Sequence, residues 1–99
     1  MTYEDVVFQQ MLKYLRKLLK MYVRFLKYYS KVEVEVIGNV KDGRFVPRTI
    51  EVKYCGSKNN GYQFQKIEFP VEDLGKRIIH YRNKVRTMVK NRHNNPNLR

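Results

Sequence analysis

The chain contains no alanine and no tryptophan, a single cysteine, few prolines and few glycines. Each shortage excludes something. With Cys55 alone, no internal disulfide can form. That thiol and two separated histidines, His80 and His93, match no metal-site spacing and do not make a nucleophilic pair. Gly38, Gly43, Gly61 and Gly75 stand apart from one another, so there is no glycine-rich loop to cradle a phosphate. The longest apolar-leaning stretch, Val6 to Leu12, is broken by Gln9 and Gln10. It falls far short of the roughly 20 residues that cross a bilayer as a helix. The start, Met1-Thr2-Tyr3-Glu4-Asp5, is acidic where a secretory leader would be basic. The expectation is a protein with no signal peptide, located in the cytoplasm or in a virion. No enzyme chemistry, metal or cofactor is expected.

The scarcest charge is negative. Against 9 Asp and Glu there are 21 Lys and Arg, a net charge of +12 in 99 residues. An imbalance of this size favours a polyanionic partner, either nucleic acid or an acidic membrane surface. The length suits one domain, which at this size buries only about two thirds of its unfolded surface.

Two periodicities organise the chain. Thr2 reads as the helix cap, with Glu4 and Asp5 in the first turn. No Gly or Pro follows until after Ser30, and Phe8, Met11, Leu15, Leu18, Tyr22, Phe25 and Tyr29 recur at steps of three and four. This predicts a first helix of roughly 40 Å reaching about Ser30. Val32, Val34 and Val36 then alternate with Glu33 and Glu35, and Ile50, Val52 and Tyr54 alternate with Thr49, Glu51 and Lys53. Both are half-buried strands, joined at the Asp42-Gly43 hairpin signal. A plain two-residue turn would pair Val34 with Glu51 and set the apolar residues on opposite faces. Pairing Val34 with Val52 needs a slip of one residue, expected as a three-residue loop with Gly43 left-handed. Cys55 to Gly61 reads as a loop and Tyr62 to Phe69 as a third strand, with a bulge near Gln65-Lys66 where its apolar parity changes. Glu72-Asp73 open a second helix carried by Val71, Leu74, Ile78, Tyr81, Val85 and Met88. The prediction is one α+β domain over residues 1–91, in the order α-β-β-β-α. A three-stranded antiparallel meander packs with a long N-terminal helix and a C-terminal helix, and a flexible basic tail covers 92–99.

The distribution of the cations carries the functional expectation. Lys13, Arg16, Lys17, Lys20, Arg24, Lys27 and Lys31 fall within an arc of about 100° and run roughly 27 Å along the first helix. No acid interrupts them between Val6 and Val32. Exposed helix faces usually mix signs, because like charges four residues apart cost a few tenths of a kcal/mol. Here Lys13–Lys17, Arg16–Lys20, Lys20–Arg24 and Lys27–Lys31 all bear that cost. The stripe therefore reads as a phosphate-contacting surface, suited to duplex DNA with low sequence specificity. Six or seven engaged phosphates would give a salt slope of about −5 to −6. The alternatives are a virion-structural protein or one lying on an anionic membrane, with the stripe as a stability or solubility feature.

The same helix has an apolar arc of about 200°, with Tyr14, Met21 and Tyr28 on one flank and Leu12, Leu19 and Val23 on the other. Such a helix needs cover on two sides. The sheet with the second helix supplies one. A homodimer through the first helix is expected to supply the other, unless sheet and second helix wrap it fully or a membrane covers it. Glu33, Glu35, Glu51 and Glu68 are expected on a sheet surface, paired with Lys53 or Lys66. Tyr62, Phe64 and Phe69 are expected in the core.

The alanine-free composition, the richness in Lys, Arg, Tyr and Val, and the run Leu12-Lys13-Tyr14-Leu15-Arg16-Lys17-Leu18-Leu19-Lys20-Met21-Tyr22 give a resemblance over the whole chain. It resembles the small basic proteins of filamentous or rod-shaped viruses that infect hyperthermophilic archaea. The resemblance implies a double-stranded DNA virus setting, an orphan fold and no assigned activity. It transfers no functional residue. It also implies that high charge and tyrosine content serve thermal stability.

Overall fold

A computed structural model describes residues 3–26, 29–56 and 63–94 of the chain. The architecture is α+β in the expected order. The first helix, α1, spans Tyr3–Val23. Leu12, Leu15, Leu18, Leu19 and Val23 are its buried side chains, with Phe8, Met11 and Tyr22 partly buried beside them. The helix ends well before Ser30. The Phe25 N–H donates to the Tyr22 carbonyl at 3.0 Å and the Leu26 N–H to that of Val23 at 3.1 Å, three-residue steps that tighten and close the last turn. The chain then has to enter the sheet. The Ser30 N–H donates to the Cys55 carbonyl at 2.9 Å, and the Tyr29 ring lies 5.8 Å from that of Tyr54. Leu26 and Tyr29 still pack on the core, which is why the apolar spacing runs past the helix end.

Strand β1 (Lys31–Lys41) pairs antiparallel with β2 (Arg44–Gly56). Val34 faces Val52 and Val36 faces Ile50, as the side-chain pattern requires. The turn differs from expectation. Lys41 pairs directly with Arg44, and both Asp42 (φ 52°) and Gly43 (φ 75°) are left-handed, which is the two-residue hairpin turn favoured by strand twist. The one-residue slip is taken up elsewhere. Ile37 pairs with Thr49 but Gly38 with Pro47, so Arg48 bulges out of the ladder. Both residues at the break suit it. Pro47 has no N–H to lose from the ladder. Gly38 lies so close to the Val46 carbonyl oxygen that a Cβ would collide with it.

Strand β3 (Gln63–Pro70) pairs with β2 in one unbroken register from Thr49–Pro70 to Gly56–Gln63, so the bulge expected near Gln65-Lys66 is absent. The parity change arises because Ile67 and Phe69 face the core while Phe64, opposite Cys55, takes the other face and is 52% exposed. Phe64 is therefore not a core residue. Tyr62 lies outside the described residues.

Pro70 leads into a single 3-10 turn, Val71–Asp73, and then α2, Leu74–Asn94. Leu74, Ile78, Tyr81 and Val85 are buried. Arg92, expected to begin a loose tail, belongs to α2 and holds its guanidinium 4.6 Å from the Phe25 ring centre. Residues 95–99 lie outside the described residues.

Both helices cover one face of the sheet, in the order β1-β2-β3. They run in the same direction. Met11 touches the position of Gly75, Tyr22 lies 5.5 Å from Tyr81, and Phe25 meets Arg92. Between the layers sit Leu12, Leu15, Leu19, Ile50 and Val52, fully buried. At one end Tyr22, Tyr54 and Tyr81 form an aromatic group. The Tyr54 hydroxyl donates to that of Tyr81 at 3.4 Å. Burial, then the hydrogen bond to Tyr81, push the Tyr54 phenol far above its ordinary range, so it stays neutral at any physiological pH.

Because a methyl group at Gly38 would meet backbone rather than a movable side chain, Gly38→Ala is expected to destabilise the protein by about 1–3 kcal/mol. A urea titration should show the midpoint fall with the slope unchanged.

Candidate nucleic-acid interface

Burying the leucine stripe of α1 turns Lys13, Arg16, Lys17 and Lys20 outward, and all are exposed. At spacings of three and four they are neighbours on the helix surface. With Gln10 and Tyr14 they wall an open trough of about 480 Å³. Every wall belongs to α1, so this is a shallow channel between long side chains rather than an enclosed cavity.

The structure does not hold all the expected stripe on one helix. Arg24 is exposed, but in the turn after α1. Lys27 lies outside the described residues. Lys31 opens β1, and its ammonium stands 3.1 Å from the Glu33 carboxylate. The stripe is divided because α1 ends at Val23. The helical track, Lys13 to Lys20, is about 10 Å long, and roughly 16 Å if Arg24 continues it at helical rise. None of Lys13, Arg16, Lys17, Lys20 and Arg24 forms an ion pair with a described residue.

The open sheet face provides the contrast. Glu35, Glu51 and Glu68 lie directly opposite one another across the three strands. Cross-strand like charges repel, and lysines on the neighbouring rung offset this. The Lys66 ammonium lies 3.8 Å from Glu51 and 3.3 Å from Glu68, and Lys53 lies 4.0 Å from Glu51. Glu51, on the central strand, is only 8% exposed. The expected pairing of these acids with Lys53 and Lys66 is present for Glu51 and Glu68. Among the described residues no group of His, Cys, Asp and Glu is placed to hold a metal ion.

The α2 cations divide into two kinds. Lys76, Arg82, Arg86 and Lys90 are exposed. Arg77, Lys84 and Arg92 lie over the rings of Phe69, Tyr22 and Phe25 at 5.0, 6.0 and 4.6 Å, where attraction to the ring adds to the packing of their stems. His80 stands against Tyr81, ring centres 5.1 Å apart. Desolvation, then Lys84 and Arg77, lower its pKa, so it is not a further cation at neutral pH.

Some exposed features were not expected from the sequence. Val40 and Phe45, opposite each other near the β1–β2 turn, are 75% and 54% exposed. Val40 keeps the core-side parity of β1 and the bulge turns Phe45 to that same side, yet neither is covered, and strand alternation alone gives no sign of that. On α1, the flank of Leu12, Leu19 and Val23 is covered by the chain itself, whereas Val7, Tyr14 and Met21 on the other flank are partly exposed.

No protein-family model matches this chain, no curated protein matches it in sequence, and no solved structure matches its fold. Among the described residues no helix is long and apolar enough to cross a membrane.

Removing one of the two cations beside His80 should release part of its shift. Lys84→Gln is expected to raise the His80 pKa toward 6.5 without reaching it, since desolvation and Arg77 persist. An NMR titration of the imidazole protons checks this. The lowered pKa also makes the unfolded chain the better proton acceptor just below pH 6.5. His80 therefore favours folding above that pH and loses this effect as pH falls through the window.

Proposed function

We propose that this protein is a nonenzymatic nucleic-acid-binding protein that holds phosphates along the outer face of α1. The observation that carries this reading is the run Lys13, Arg16, Lys17 and Lys20, exposed on one helix face without an ion-pair partner among the described residues. A duplex offers a phosphate charge every 1.7 Å or so of its axis, so a track of about 10–16 Å spans several of them. Lysine and arginine on a regular helix contact phosphate oxygens without reading base edges. Binding is then indifferent to sequence. The double-stranded DNA setting implied by the compositional resemblance would supply such a polyanion.

Packing favours nucleic acid over the membrane alternative. Leu15 and Leu18 are buried, and Phe8 and Tyr22 pack on the core. For α1 to insert its apolar stripe into lipid, the two-layer core would have to open.

With four or five phosphates engaged, log K should fall with log[salt] at a slope of about −4. Replacing Lys13, Lys17 and Lys20 with Gln should reduce the steepness by about 3 and weaken unrelated duplexes equally. Fluorescence anisotropy across a salt series measures both. Failure to bind duplex or single strands at low salt would remove the reading.

A further inference from the structure

Two apolar features without a partner among the described residues lie at the same end of the molecule and carry opposite charges. One is the hairpin arm beyond the bulge, from the Gly38–Pro47 pair to the Lys41–Arg44 pair. Val40 and Phe45 are direct cross-strand partners, so they share one face, and they are the most exposed large apolar side chains among the described residues. Lys41 and Arg44, both exposed, flank them at the tip, and Arg48 is exposed at the root.

The other feature is a recess of about 320 Å³ between the first turns of α1 and the start of α2. Val7, Phe8 and Met11 wall it from one side, Leu74 and Gly75 from the other. There is room at Gly75, where a Cβ would meet only the Met11 methyl, in ordinary contact at 3.8 Å. Two exposed carboxylates, Glu4 and Glu72, stand at its rim. The arm and the recess are close in the fold, because Thr49 at the arm's root pairs with Pro70, which caps the turn bearing Glu72. The arm of the same chain does not fill the recess, because Val40 and Phe45 remain exposed.

We propose that the protein forms a two-fold dimer in which each copy seats Phe45 and Val40 in its partner's recess, with Arg44 and Lys41 meeting the Glu4 and Glu72 rim. The occupant is argued from complementarity. An apolar knob with cationic flanks matches an apolar hollow with an anionic rim, the usual division of an interface into apolar centre and polar edge. A two-fold axis uses every such contact twice, and an aromatic side chain contributes about 150–250 Å² to each. The contact shares no residue with the Lys13–Lys20 track, so it does not depend on the nucleic-acid reading. A dimer would carry two tracks.

Sedimentation velocity of the full chain without nucleic acid, from about 1 to 100 µM, tests this. Wild type is expected to show a concentration-dependent dimer, and Phe45→Asp a monomer with unchanged circular dichroism. Glu72→Arg should weaken the dimer at least tenfold, about 1.4 kcal/mol. Adding Arg44→Glu to it should restore most of that loss. A wild-type monomer throughout overturns the proposal, as does a dimer indifferent to Phe45→Asp. So does a Phe45→Asp effect confined to duplex affinity, which would assign the arm to nucleic acid instead. Anisotropy on the Lys13, Lys17 and Lys20 variant reads the phosphate track separately.

Discussion

The structure depends on the burial of one leucine stripe against one strand. Leu12, Leu15 and Leu19 lie fully buried in the same cluster as Ile50 and Val52 of the central strand. Each such side chain contributes roughly 1.5–3 kcal/mol. Like-charge neighbours on the opposite face of α1 cost only a few tenths each. The helix therefore tolerates a one-signed outer face because its inner face decides its orientation. Once the leucines are seated, helical geometry leaves Lys13, Arg16, Lys17 and Lys20 no position but the outside.

The charges on the two layers are handled differently. On the open sheet face, ion pairs with lysines offset Glu33, Glu51 and Glu68 locally. On the helices, several cations are instead held over aromatic rings. Arg77 over Phe69 and Lys84 over Tyr22 join α2 to β3 and α1 without adding an acid to the helical layer. The tyrosine group serves both sides of this arrangement. Tyr22, Tyr54 and Tyr81 bury rings in the core, and the Tyr54–Tyr81 hydrogen bond pairs two hydroxyls that would otherwise be stranded there.

The order of elements and the pairing of Val34 with Val52 were legible because burial on one face imposes a strict period. The ends of elements were not. Leu26 and Tyr29 keep a helical apolar spacing although the helix has closed, since a turn can direct side chains to the same core. The slip between β1 and β2 was legible as a necessity but not in its place. Asp42-Gly43 satisfies the tightest turn, and Pro47 with Gly38 makes the bulge cheap. For the candidate interface, the four cations inside α1 were predictable from helical spacing. Lys31 was not, because it belongs to a strand and faces Glu33. The bulge sets Phe45 on the side of Val40, so the exposed face they share could not be read before the bulge was located.

That bulge separates two lengths of hairpin that answer to different requirements. Below it, parity is enforced by the core, and adding or removing a single residue would turn valines and glutamates inside out. Above it, the ladder from Gly38–Pro47 to Lys41–Arg44 supports no helix. Residues can be added or removed there in cross-strand pairs without altering the register of the sheet. The arm is thus the place where the chain can change length or tip chemistry while keeping its fold.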